Sequence, residues 1–442
     1  MPPVITQMDL QRIKCLMSVA TGLSFAVAAN GAGFAIIEQS VSGLGNAFAG
    51  AAAAQDASTI FFNPAGMILL DKPEVNSGIH VIIPSAKFIN EGTTTTSYAG
   101  TVATQGDNAN GGATAFVPNL YYVHPLSERL VVGIGVHAPF GLATEYDKEW
   151  VGRYMAVRSE IKTINVNPSI AYRINEKLTI GAGVSAEYVY ANLTNAIDLN
   201  RDGTTLLDGF NDLEGDDIGF GWNLGLLYEV SKTTRFGIHY RSEVKTRLKG
   251  TADFTLPELP PAMAAYAVVF ADQKIEADLT LPDSLSVNFY HELNDKWAVM
   301  GDVTWMGWSD FYDLDIDFES ATTEAAAGKA IIENWRDNWR YSVGANYKAS
   351  DRLLLRGGLA YDQTPVKSDD YRSPRIPDAS RVWVTAGLSW IMSPGTTLDV
   401  GYVHIFVDDP VVDNSSHTSY QHVKGTIKAH VDILSASCTM RF

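Results

Sequence analysis

The stretch His430-Val-Asp-Ile-Leu-Ser-Ala-Ser-Cys-Thr-Met-Arg-Phe442 alternates so regularly that a strand is the one element that can use it. Leu434, Ala436, Cys438, Met440 and Phe442 fall on one face, and Ser435, Ser437, Thr439 and Arg441 fall on the other. That pattern belongs to a sheet with one apolar and one wetted side. Just upstream, Ile427, Ala429, Val431 and Ile433 have the opposite parity. The sequence therefore predicts either a bulge near Ile433 or an apolar patch on the wetted face.

The same alternation recurs along the chain. Segments at about 74-90, 113-126, 130-145, 157-173, 177-198, 216-230, 233-249, 275-292, 296-319, 330-348, 352-362, 380-392, 395-407 and 424-442 read as strands, about fourteen of them. Past residue 31 no apolar run approaches the roughly 18 residues that a membrane helix needs. A mean hydropathy of -0.02 would by itself describe a soluble acidic protein. A transmembrane barrel reaches the same average, because every second wall residue faces a polar lumen. Short turns such as Asn175-Glu176, Ser231-Lys232, Asn294-Asp295 and Ser350-Asp351 alternate with long links near 91-112, 199-215, 250-274 and 363-379. Short on one rim and long on the other is the pattern of bacterial outer-membrane barrels, and a closing amphipathic strand that ends in Phe442 resembles their insertion signal. Tyr121 with Tyr122, Trp305 with Trp308 and Trp335 with Trp339 are expected as interface girdles. The fold class is thus all-β, an antiparallel transmembrane barrel of about fourteen strands over residues 74-442 in the outer membrane of a Gram-negative bacterium.

Arg12 and Lys14 precede an apolar and small-residue run from Cys15 to Ala29, followed by Asn30 and Gly31. This reads as a secretory signal over residues 1-31, with the mature chain starting at Ala32; cleavage after Ala28 or Ala29 and a retained N-terminal helix are the alternatives. Removing Asp9, Arg12 and Lys14 from the 33 basic and 50 acidic residues leaves 31 and 49, a net charge of -18. Such a balance argues against nucleic acid, which needs a clustered basic face. It suits wetted loops beside outer-membrane lipid and lipopolysaccharide. Cys438 is the one thiol of the mature chain, so no intrachain disulfide is expected.

Residues 32-73 do not read as wall. Ala32-Gly-Phe34, Ser42-Gly-Leu-Gly45, Ala47-Phe48-Ala49-Gly50 and Asn63-Pro64-Ala65 are dense in small residues, which let backbone pack against backbone. A compact, partly helical plug in the lumen accounts for them; a periplasmic linker is the alternative. In order and spacing these motifs resemble the hatch of the FadL family, outer-membrane transporters of long-chain fatty acids and other hydrophobic compounds. Gly219-Phe-Gly-Trp-Asn-Leu-Gly-Leu-Leu-Tyr228, Arg235, Tyr240-Arg-Ser-Glu-Val244, Leu281-Pro282-Asp283, Asp362-Gln-Thr-Pro-Val366, Ile376-Pro377-Asp378 and Arg381-Val-Trp383 continue the resemblance along the mature chain.

The resemblance implies a monomeric, hatch-closed barrel, assembled by the barrel assembly machinery, that passes apolar ligands by diffusion. Ligand docks between extracellular loops, moves to a pocket beside the mature N-terminus and leaves sideways through the wall. For docking, Ala262-Met-Ala-Ala-Tyr-Ala-Val-Val-Phe270 after Pro260 and Pro261 is more apolar than an exposed loop should be, and presents Met263, Tyr266 and Phe270. Leu206, Leu207, Phe210 and Leu213 offer a facing wall; plain loop packing is the alternative. For the exit, Val136-His-Ala-Pro139-Phe140-Gly141 places a proline without an N–H and a glycine without a side chain in mid-strand. The family's wall opens at the matching strand; an ordinary bulge is the alternative. Phe34 takes the position of the family's ligand-contacting N-terminal Phe. Trp335 and Arg336 lie at a basic ligand-contacting position, with pairing of Arg336 to Asp337 or Glu333 as the structural alternative. A second basic residue expected on strand five is missing from Tyr188-Val-Tyr-Ala-Asn-Leu-Thr-Asn195. That departure leaves monoaromatic hydrocarbons open beside fatty acids.

An outer-membrane lipase or protease would need a Gly-x-Ser-x-Gly elbow or metal-spaced histidines, and neither occurs. His417 and His422 near Asp413 and Ser415 sit in a polar loop. A general porin would lack the small-residue hatch. The acidic stretches Asp310 to Glu319 and Asp408-Asp409 match no calcium-loop spacing. No metal, cofactor or catalytic residue is expected.

Overall fold

The computed structural model describes residues 32–98, 100–327, 331–414 and 421–442. The leader at 1–31 and His417 lie outside the described residues. Fourteen antiparallel strands form the wall. We number them β1 (Glu74–Asn90), β2 (Ala115–Ser127), β3 (Leu130–His137, resuming at Gly141–Glu145), β4 (Arg158–Arg173), β5 (Leu178–Asp198), β6 (Asp208–Ser231) and β7 (Thr234–Arg241, resuming at Val244–Thr255). Then follow β8 (Gln273–Leu281, resuming at Ser284–Glu292), β9 (Trp297–Met306), β10 (Asn338–Lys348), β11 (Leu353–Asp362), β12 (Arg381–Ser393), β13 (Thr396–Val407) and β14 (Gln421–Arg441). The ring closes where β1 pairs β14, from Glu74 opposite Arg441 to Asn90 opposite Gly425. Closure leaves no unpaired edge to face lipid.

Local chemistry makes the short rim. Asn175 Oδ1 accepts from the amides of Lys177 (2.9 Å) and Leu178 (3.0 Å), and Asn294 Oδ1 accepts from Lys296 and Trp297 (both 3.0 Å). These side-chain turns reverse the chain within a few residues. On the long rim the strands run beyond the expected ends: β6 begins at Asp208 and β7 reaches Thr255. The expected strand at 296-319 instead stops at Met306, and Ile316–Phe318 pairs separately with Ile275–Ala277 of β8.

Several expectations are corrected. No bulge occurs near Ile433, because the β1–β14 register is continuous. Ile427, Val431 and Ile433 point into the barrel with Ser435, Ser437 and Thr439, so the apolar lumen patch is the right alternative. The outward face changes instead, from Leu434 to the exposed Lys428 and His430. The aromatic girdle takes one member of each pair at most: Tyr122 and Trp339 face outward, whereas Tyr121, Trp308 and Trp335 are buried. Adjacent strand residues point to opposite faces, so Tyr121 and Tyr122 cannot share one girdle. The strands read at 233-249 and 275-292 are each interrupted, at Ser242-Glu243 and Pro282-Asp283.

Inside the ring lies the segment from Ala32 to Leu70, built of the short helical turns Val41–Leu44, Ala51–Ala53, Thr59–Phe62 and Pro64–Leu69. Leu44, Ala49, Ala52, Ile60, Ala65 and Met67 have no exposed surface. Wall arginines satisfy its carbonyls. Arg235 Nε donates to Ala52 O (3.0 Å), Arg241 to Phe61 O (3.1 Å) and Arg340 to Ala47 O (2.7 Å). Asn63 Oδ1 accepts from Ala65 N (3.0 Å), and Asn63 Nδ2 donates to Leu226 O of β6 (3.0 Å). Wall glycines make that approach possible: a Cβ on Gly181 would overlap the Ala65 amide, and one on Gly225 would overlap Asn63 Oδ1 and stand 2.9 Å from Pro64 Cδ. Gly225→Val is therefore expected to leave a folded, heat-modifiable barrel whose single-channel ion conductance rises because the plug is displaced. Parental conductance in that variant would show that the plug does not lean on β6.

Candidate functional site

Phe34 has no exposed surface and sits among four other aromatic rings. Its centroid lies 4.7 Å from Trp308, 5.4 Å from Phe311, 6.0 Å from Trp335 and 6.1 Å from Phe140, mostly edge to face. Such pairs add about 0.5–1.5 kcal/mol each beyond burial. Gly33 brings Phe34 in: its φ of +67° suits glycine, and a Cβ there would stand 2.7 Å from both Trp308 and Trp335. Leu142, Ile161, Leu248, Leu279, Leu281 and Ile376 complete the apolar shell. Sequence motifs pointed to Phe34, Phe140 and Trp335; Trp308 and Phe311 were read as strand.

The cage is apolar at its centre and ionic at its margins. On one side the Ala32 amide donates to Asp362 Oδ2 (3.2 Å), beside Arg381. On the other, Trp335 Nε1 donates to the Glu333 carboxylate (3.0 Å), which lies in the field of Arg375. Arg375 is buried next to Ile376 of the cage and donates to neutral oxygens, Ser159 Oγ (3.2 Å) and Asn195 Oδ1 (3.0 Å). Burial pushes its guanidinium down to about 10 and the Glu333 carboxyl up to about 7. Arg336, by contrast, points away, exposed, and its amide bonds Pro365 O (2.9 Å). Neither anionic neighbour is its partner: Asp337 accepts from Ser309 N (3.0 Å), and Glu333 from Trp335. The irregular backbone before β10, with Asn334 at a φ of +45°, buries Trp335 and leaves Arg336 outward. Arg375 was missed because a single arginine in a polar loop carries no pattern of its own.

Beside the cage β3 leaves its ladder between His137 and Gly141, and every peptide group from Ala138 to Gly141 finds a substitute where one is needed. The Gln39 side chain brackets Ala138, donating to its carbonyl (2.6 Å) and accepting from its amide (3.4 Å). Ile36 N donates to Pro139 O (2.8 Å), and Gly141 N donates to Phe34 O (2.9 Å). The Thr163 hydroxyl on β4 donates to Phe140 O (2.8 Å) and accepts from Phe140 N (3.1 Å). Residues 34 to 39 thus stopper the break, with a single antiparallel bridge between Ala35 and Phe140.

Met263, Tyr266 and Phe270 are not brought to the cage. They lie on the outer loop turns Pro261–Met263 and Tyr266–Val269, where Phe270 packs on Phe254 (5.5 Å) and the Tyr266 hydroxyl meets that of Tyr98 (3.2 Å). Leu213 is buried nearby with Leu193, Ala252 and Ile275, while Leu206, Val268 and Tyr98 remain exposed. An apolar loop surface thus stands above the cage.

The chain matches the outer membrane protein transport protein family (OMPP1/FadL/TodX) over residues 22–442. It is 31% identical to outer membrane protein P1 of Haemophilus influenzae, over 96% of this chain and 98% of that protein. It is also 31% identical to the long-chain fatty acid transport protein of Escherichia coli K12, over 88% of this chain and 92% of that protein. Its fold superposes on a Pseudomonas aeruginosa FadL homologue with a TM-score of 0.84 at 24% identity, covering 93% of this chain and all of that one. The Pseudomonas putida toluene transporter TodX follows with 0.67 at 20% identity, over 87% and 94%. Gln39→Ala strips both partners from Ala138, and buried unpaired groups cost about 1–3 kcal/mol each. The variant is expected to admit a neutral apolar dye faster than the parent in whole-cell influx assays; an unchanged rate would mean that Gln39 does not hold the stopper.

Proposed function

This chain belongs to the OMPP1/FadL/TodX family of outer-membrane transport proteins, and on that premise we propose that its substrates are long-chain fatty acids, taken up by passive diffusion. The family carries hydrophobic compounds across the outer membrane and is not enzymatic. The observation that carries the finer reading is the aromatic cage around Phe34 with a buried cation, Arg375, at its margin. An alkyl chain fits the cage, and a carboxylate gains a charge-assisted partner in a guanidinium that otherwise bonds neutral oxygens. The loop surface around Met263, Tyr266 and Phe270 collects the ligand. Leaving the cage requires Phe34 to Gln39 to move, which unbonds Ala138, Pro139 and Gly141 and opens the wall sideways. Uptake of monoaromatic hydrocarbons is the second reading, favoured by the absence of Lys or Arg from Tyr188 to Asn195; toluene needs the cage and not the cation.

Uptake of labelled oleate and labelled toluene by cells without their own transporters separates the two. Arg375→Ala is expected to reduce oleate uptake by about tenfold, the size of one charge-assisted contact, and to spare toluene. Toluene uptake without oleate uptake would overturn the fatty acid reading. Glu333 adds a pH signature. Its carboxyl is held up near 7, so it is neutral below that pH and ionises as pH rises through it, competing for Arg375. Oleate binding to the purified barrel should therefore weaken between about pH 6 and 8, and Glu333→Gln should flatten the profile relative to the parent. A parent and variant with the same profile would remove Glu333 from recognition.

A further inference from the structure

The wall has a second discontinuity, between β6 and β7. β6 and β7 pair from Ser231 opposite Thr234 to Asn223 opposite Arg241, and again from Asp216 opposite Lys249 to Phe210 opposite Thr255. Between these ladders side chains carry most of the bonding. Trp222 N donates to Ser242 Oγ (2.9 Å), Ser242 N returns a bond to Trp222 O (2.9 Å), and Arg247 N donates to the Asp217 carboxylate (2.8 Å). Residues Ile218 to Gly221 on β6 and Val244 to Thr246 on β7 have no ladder register across this seam. The interruption continues in the next strands at the same height. Val244 is opposite Leu281 and Arg241 opposite Ser284, which places Pro282-Asp283 beside Ser242-Glu243, and Gly307 N at the end of β9 bonds Asp283 O (3.0 Å).

Side-chain packing closes the middle of the seam. Val244 and Thr246, both buried, lie across Gly219 and Gly221: a Cβ on Gly221 would stand 2.9 Å from Val244 Cγ2, and one on Gly219 2.8 Å from Thr246 Cγ2. The inner surface of the seam is the cage itself, since Val244, Leu248, Leu279 and Leu281 belong to the same buried cluster as Phe34 and Trp308. The outer surface is Ile218, Phe220 and Trp222, which are 54%, 74% and 46% exposed at the upper edge of the lipid-facing belt. Unlike the break at Pro139, Ile218 to Gly221 and Val244 to Thr246 receive no hydrogen bond from the Ala32 to Leu70 segment among the described residues; the plug meets the seam through the apolar cluster of Phe34. The cations along it are paired, Lys245 with Glu243 (2.9 Å) and Arg247 with Glu276 (2.7 Å), so neither stands unpaired toward a carboxylate.

We propose that this seam is a second lateral port, gated by Val244 and Thr246, through which uncharged apolar molecules dissolved in the outer leaflet reach the Phe34 cage. The port rests on the transport reading above and extends it to neutral ligands that never pass the loops. Irregular backbone at membrane depth is tolerated where it lines a protein cavity, and here the cavity is the ligand cage.

The test uses the full barrel in a Cys438→Ala background with Gly221→Cys and Val244→Cys, expressed in cells without their own transporters. Labelled dodecane reports the leaflet route, and labelled oleate presented on albumin reports the aqueous route. Oxidising the pair is expected to lower dodecane uptake about fivefold, with recovery on reduction, while oleate uptake falls less than about twofold. Val244→Ala needs no crosslink and is expected to raise dodecane uptake about twofold or more. A parent that transports both probes, with dodecane uptake indifferent to the crosslink or to Val244→Ala, overturns the port alone. A parent that transports neither overturns the transport reading and the port with it.

Discussion

A peptide group inside a bilayer can bond only to protein, and the architecture of this barrel follows from that constraint. The β1–β14 seam removes the sheet edges, and where β3 abandons its ladder the missing partners come from elsewhere. Gln39 brackets Ala138, Ile36 takes Pro139, Thr163 takes Phe140 and Phe34 takes Gly141. Three of those four partners belong to the plug. The position of the plug and the continuity of the wall are therefore one variable, and the residue at its tip, Phe34, is also the centre of the aromatic cage.

The plug stays in place through a second kind of contact. Arg235, Arg241 and Arg340 reach inward from the wall to carbonyls that short helical turns leave unbonded. Gly181, Gly225, Gly344, Gly358 and Gly387 clear the wall where Gly45, Asn46 and Asn63-Pro64-Ala65 approach. Small residues on both sides permit backbone contact, and charged donors fix it. Apolar packing adds to these contacts, with Ile60 and Met67 against Tyr121 and Val131, and Leu44 and Phe48 in one cluster with Trp383 and Ile433.

Charge stands at the margins of the apolar interior. The loop surface around Tyr266 and Phe270 and the cluster of Leu213, Ala252 and Ile275 lead toward the cage. Guanidinium and carboxylate groups stand at the margins of the cage, most of them paired. Arg375 departs from that pattern, with neutral hydrogen-bond partners and Glu333 in its field. Arg375 is thus the buried cation at the cage margin whose hydrogen bonds go to neutral oxygens.

The sequence by itself determined the barrel. Period-two alternation from residue 74 onward, Asn- and Ser-led turns on one rim and long links on the other define strand number and wall orientation, because a wall residue faces either lipid or lumen. Ordered short motifs marked Phe34, Asn63-Pro64-Ala65 and the proline break. Only the tertiary structure decided what those motifs do together. Alternation did not reveal that Trp308 and Phe311 turn inward past the end of β9 to meet Phe34, because both lie where the strand period has ended. It did not separate Arg336 from Arg375 as the buried cation, because burial in a loop depends on residues far away in the chain. It also left the interruptions at Ser242-Glu243 and Pro282-Asp283 inside apparent strands, although Pro282 carried the signal. Face and period are local properties that a sequence displays; a gap in a ladder, and what fills it, belong to two chain segments that only the closed ring brings together.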